Sequence, residues 1–69
     1  MNVPVTERIR RAVDAFVAEE SRRPNILIVG GAAETELFRL GVKPTKLYQG
    51  MRIVVDDGEA DLSVAYRKP

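Results

Sequence analysis

The sequence contains no cysteine and no histidine. Without cysteine there is no disulfide framework, no thiolate metal site and no cysteine nucleophile. Without histidine there is no imidazole base, which removes the Ser-His-Asp and Cys-His arrangements as well. Aromatics are scarce, only Phe16, Phe38, Tyr48 and Tyr66, so the core has to be built mainly of Val, Ile, Leu and Ala. An excess of one charge is missing too. Eleven basic residues face ten acidic ones for a net charge of +1, too little for a global field that recruits nucleic acid. No apolar run approaches the roughly 20 residues of a membrane span, and Met1-Asn2-Val3-Pro4 has none of the marks of a signal peptide. The expected setting is cytoplasmic, without a membrane and without a cofactor.

What is present is a chain of 69 residues, 45% of them hydrophobic. That length supports one domain, 1–69, and the apolar share favours a folded chain over a disordered one. Val5, Ile9, Ala12, Val13, Phe16 and Val17 recur at spacings of three and four. They predict an amphipathic helix from about Thr6 to about Arg22, with Thr6 as N-cap and Pro24 as the stop. Glu7–Arg11 and Arg10–Asp14 lie at i,i+4 on its outer surface. Asn25-Ile26-Leu27-Ile28-Val29 is an uninterrupted apolar run closed by Gly30-Gly31, which reads as a strand buried on both faces. A second helix is expected from Ala32 to Leu40, with Ala33, Leu37 and Leu40 on one face broadened by Phe38. Gly41 is its left-handed C-terminal residue, and Pro44 follows.

After Lys46 the period changes to two. Met51, Ile53 and Val55 alternate with Arg52 and Val54, and then Leu62, Val64 and Tyr66 with Asp61, Ser63, Ala65 and Arg67. Asp57-Gly58 between them is a strong hairpin signal, and Gln49-Gly50 reads as a bulge or bend before the strand. The expectation is an α+β fold in the order α-β-α-β-β. Its three-stranded mixed sheet has one parallel crossover plus a hairpin, with two helices packed on one face. The other face is left partly bare, exposing Leu27, Val29, Val54 or Ala65, and such a face invites self-association or a protein partner.

Several residue groups are candidate sites, each with a simpler structural reading. Gly30-Gly31 stands where anion-binding loops occur, but the remaining glycines and the Lys-Ser/Thr of phosphate loops are missing, and Glu34 and Glu36 oppose a phosphate. A tight strand-to-helix turn accounts for it. Asp56, Asp57, Glu59 and Asp61 crowd one turn without metal-loop spacing, as exposed turns commonly do. Arg8, Arg10 and Arg11, with Arg22 and Arg23, form the densest basic group and are the candidate nucleic-acid contacts. Acidic neighbours leave residues 1–24 at +1, the mark of an ion-paired helix face. Tyr48 and Val54 are the candidate interface residues, whereas Tyr66 falls in step with Leu62 and Val64 and is expected in the core. Ser21 and Ser63 have no base of a suitable type.

From Pro24 the sequence runs Pro-Asn-Ile-Leu-Ile-Val, then a short helix. Leu47-Tyr48-Gln49-Gly50-Met51-Arg52-Ile53-Val54-Val55-Asp56-Asp57 and a closing strand follow. This stretch resembles a miniature of the axial-domain segment of tailed-phage major capsid proteins, where a helix, a strand, a helix and a hairpin follow in similar order. Arg52 stands where that pattern has proline, and the long arm and spine helix of a capsid subunit have no counterpart. The resemblance implies a small phage- or prophage-type accessory protein rather than a shell subunit, and it carries over no functional residue. The expected function is a non-catalytic protein-binding or assembly module, self-associating as a homodimer. The alternative is weak nucleic-acid binding through the N-terminal helix.

Overall fold

The computed structural model describes residues 3–43 and 45–68, so the expectation for Pro44 lies outside the described residues. The elements are α1 (Val5–Glu20), β1 (Ile26–Val29), α2 (Gly31–Arg39), β2 (Leu47–Tyr48), β3 (Met51–Val55) and β4 (Leu62–Ala65). Helix α1 starts one residue earlier than Thr6, with Pro4 at the N-cap. Proline is pre-set for a helix start, because its φ is fixed and it has no N–H to leave unpaired. The helix also ends before Pro24. Ser21 adopts a left-handed φ of 57° and its N–H bonds to the Val17 carbonyl. Helix α2 closes as expected, through Gly41. Gly41 N–H donates to Phe38 O and Val42 N–H to Leu37 O, the paired bonds of a Schellman motif. Leu40 and Phe38, expected on its apolar face, are both exposed instead. Only Ala33 and Leu37 turn inward.

The sheet has four strands rather than three, in the order β2-β3-β1-β4. Strand β1 pairs parallel with β3, as the crossover requires, and antiparallel with β4 on its other side. The hairpin of this sheet is β2–β3. Gln49 and Gly50 form its two-residue turn, with φ of 50° and 82°, the double positive φ of a type I′ connection. They are a turn, not a bulge. The expected β3–β4 hairpin at Asp57-Gly58 does not form, because those strands flank β1 on opposite sides. Pairing them with each other would have left one edge of the most apolar strand without hydrogen-bond partners.

Strand β4 therefore reaches its place through residues 56–61, which cross the C-terminal end of β1. Asp56 N–H still donates to Val29 O, Glu59 N–H to Asp56 O, and Gly30 N–H to Asp61 O at 2.8 Å. The crossing passes so close to Gly30 that a Cβ there would lie 2.2 Å from the Glu59 carbonyl oxygen. Gly31 differs, with nothing within 4 Å of the corresponding point.

Both helices cover one face of the sheet. Val5, Ile9, Val13, Ala33 and Leu37 from the helices meet Leu27, Val29, Met51 and Ile53 in a single core, with Val42, Tyr48, Leu62 and Val64 packed at its margin. Leu27 and Val29 are fully buried there, so they are not the residues of the bare face. Ile26 and Ile28 take that position, and β1 is buried on one face only. An uninterrupted apolar run has no period, so nothing in it marks which alternate residues face the helices.

The two glycines separate steric need from turn preference. Gly30→Ala is expected to cost about 3 kcal/mol or more by overpacking against backbone, enough to unfold much of so small a domain. Gly31→Ala, at the first turn of α2, should stay within about 0.5 kcal/mol of wild type or gain slightly. Urea unfolding of both variants checks the contrast, and equal midpoints would refute it.

Candidate functional site

Two surfaces gather the residues that the sequence singled out. The first is where α1, α2 and the crossing loop meet. Arg8 projects from the first turns of α1 and divides its guanidinium between Glu36 of α2 and Asp61 of the loop. Nη2 lies 2.5 Å from Glu36 Oε2 and 3.1 Å from Asp61 Oδ1, and Nε donates to Asp61 Oδ2 at 3.1 Å. Nη1 also donates to the Val3 carbonyl. Three segments distant in sequence are thus tied by one planar fork, a geometry that arginine provides and lysine does not. Hydrogen bonds from Arg8 hold the Glu36 carboxyl below its ordinary range, and donating to Glu36 and then to Asp61 pushes the Arg8 pKa up.

The other two candidate nucleic-acid contacts are engaged along the helix. Arg10 bonds Glu7 and reaches Asp14 at 3.0 Å, and Arg11 lies 3.4 Å from Glu7. The expected i,i+4 pairs Glu7–Arg11 and Arg10–Asp14 both form, with an i,i+3 pair beside them. The hydrogen bond from Arg10 lowers the Glu7 pKa and raises that of Arg10. The candidate anion loop is likewise occupied by the chain itself, since the buried Gly30 N–H is satisfied by Asp61 O. The acidic turn residues diverge rather than converge: Asp61 goes to Arg8, Asp56 Oδ1 accepts from Gly58 N–H, and Glu59 accepts from the Ser63 hydroxyl.

The second surface is the face of the sheet that neither helix covers. Ile26, Ile28, Arg52, Val54, Ala65, Tyr66 and Arg67 line a groove of about 450 Å³. Register explains the composition. Arg52 sits opposite Ile26 and Leu47, Val54 opposite Ile28, Ala65 opposite Ile26, and Ser63 opposite Ile28. Directly opposed residues share a face, so a row Leu47–Arg52–Ile26–Ala65 lies beside a row Val54–Ile28–Ser63. Leu47 and Val54 are 68% and 38% exposed. Tyr66, expected in the core, is instead 40% exposed with the Arg22 guanidinium 4.6 Å above its ring, a cation–π contact.

Of the two candidate interface residues, Val54 lies on this open face. Tyr48 does not. It pairs with Met51 on the helix side and packs half-buried against the core. The residue that takes its place is its neighbour Leu47, and the alternation from Met51 to Leu47 across a Gln-Gly turn was the available signal.

Comparison with family models, curated proteins and solved structures finds no match to the chain. No described helix is long and apolar enough to cross a membrane.

The lowered carboxylates fix the sign of the acid response. A group with a depressed folded pKa contributes stability above its unfolded value, about 4.3 for Glu, and loses it as pH falls through the folded value. Arg8→Met removes the Glu36 contribution. Its melting temperature should be lower than wild type near neutrality and should fall less between about pH 5 and about pH 3. Thermal unfolding followed by circular dichroism checks this, and parallel curves for the two proteins would refute it.

Proposed function

We propose that the chain is a non-catalytic protein-binding module that self-associates as a homodimer through the open face of its sheet. The observation that carries this reading is the groove over Ile26, Ile28, Val54 and Ala65, an apolar strip bordered by Arg52 and Arg67 and left open by two helices that both pack on the other side. Sheets bury both faces when a second layer is present, and the described residues supply a layer for one face. Arg8 is tied to Glu36 and Asp61, and Arg10 and Arg11 pair with Glu7 and Asp14 along α1, which favours a structural role for these arginines over a nucleic-acid contact. The resemblance of the β1 to β4 segment to a capsid axial domain supports an accessory role in a phage or prophage assembly. The hairpin assumed in that comparison, however, is replaced by a crossing loop.

Analytical ultracentrifugation over a wide concentration range tests the proposal. Wild type is expected to show a reversible monomer–dimer equilibrium. Ile28→Glu and Val54→Glu should each abolish it while leaving the far-ultraviolet dichroism unchanged, because both side chains lie outside the helix-covered core. A strict monomer at millimolar concentration would overturn the reading.

A further inference from the structure

The open face carries charge in a defined pattern. Along β3 the residues on this face are Arg52 and Val54, and the alternation continued one step past the strand adds Asp56, whose N–H still pairs with Val29 O. On the opposite flank Arg67 lines the groove at the same end as Arg52. Glu59, bonded to Ser63, stands at the end with Asp56. The face is therefore basic at one end of the strands, apolar in the middle and acidic at the other end. The ion pairs among the described residues involve Arg8, Arg10 and Arg11 with Glu7, Asp14, Glu36 and Asp61. Arg52, Arg67, Asp56 and Glu59 are not among them.

Resting on the dimer proposed above, we infer that the second copy docks face to face with its strands reversed, so that Arg52 of each copy meets Asp56 of the other and Arg67 approaches the Glu59 end. In an aligned packing the strands of two facing sheets stay within about 30° of each other, and for such a packing an isologous face-to-face contact requires a two-fold axis in the plane of the interface, along or across the strands. Aligned packing thus has two placements. An axis along the strands superposes like ends, the basic end of Arg52 and Arg67 on itself and the acidic end of Asp56 and Glu59 on itself, and like charges facing each other are strongly unfavourable. An axis across the strands, through the row Val54–Ile28–Ser63, reverses them. Each strand then lies over its own copy, Val54 and Ile28 pack on themselves, and both charged ends find opposite partners. The column Arg–Val–Asp is self-complementary when read backwards.

Size sets the strength. Three strands of four or five residues and one of two, about 4.8 Å apart with about 3.3 Å rise per residue, give a small footprint, below that of interfaces of standard size. The dimer is accordingly reversible, with a dissociation constant in the micromolar range or weaker.

A charge-reversal cycle followed by sedimentation equilibrium tests the arrangement. Arg52→Glu alone and Asp56→Lys alone each set like charges against one another twice per dimer. Each should weaken association about tenfold or more. The double variant Arg52→Glu/Asp56→Lys restores opposite pairs and should return to within about threefold of wild type. Arg67→Glu and Glu59→Lys, singly and together, provide a second cycle that leaves the Asp56–Gly58 turn intact. Circular dichroism confirms folding of every variant. Rising salt should weaken the wild-type dimer. If wild type dimerises but the single variants match it, or neither double variant recovers, the reversed arrangement falls while the open-face reading stands. A wild type that stays monomeric at millimolar concentration removes both.

Discussion

The fold depends on one close crossing. Residues 56–61 have to pass over the end of β1 for β4 to reach its far side, and the backbone there leaves no room for a side chain at position 30. Once the crossing is made, β1 has hydrogen-bonded neighbours along both edges, and the Asp61 carbonyl closes on the Gly30 N–H. The Asp61 carboxylate then reaches Arg8, and through it Glu36, so the loop that completes the sheet also sets the two helices against it. The glycine that resembles part of a phosphate loop is there to let a peptide unit by.

The same crossing shows how far the amino-acid sequence could be read. Periodicity located both helices to within two residues. Gly41 marked the end of α2, and the ion pairs of Glu7 and Asp14 followed from spacing alone. Asp57-Gly58 was correctly a turn, but turn chemistry says that the chain reverses and not which strands it joins. The pairing was decided by the burial of β1, a property of the whole sheet. Arg8, Arg10 and Arg11 look alike in sequence. Only the fold sets Arg8 apart, because its two partners lie 28 and 53 residues away. The apolar run of β1 hid the choice between Leu27 with Val29 and Ile26 with Ile28 for the same reason. Alternation is legible where polar residues interrupt it, and here none do.

Charge gives a related lesson. Taken in stretches, the chain is nearly neutral, with residues 25–45 and 46–69 both summing to zero. Folding separates what the sequence mixes. Arg52 and Arg67 gather at the start of β1 and Asp56 and Glu59 at its end, so a surface without net charge acquires direction. Such a surface supplies specificity and orientation without adding much to affinity, as expected for polar groups around a small apolar patch.

The order of the strands also bears on how the protein is made. The central strand is synthesised early, yet its two flanking partners, Met51–Val55 and Leu62–Ala65, come well after it. Until Leu62–Ala65 arrives, an apolar strand offers a full row of unpaired amides and carbonyls, which is the template on which chains aggregate. Contacts between segments so far apart close slowly. The nascent chain therefore spends its most vulnerable interval with β1 complete and β4 missing, and a copy broken anywhere in the crossing loop would be returned to that state.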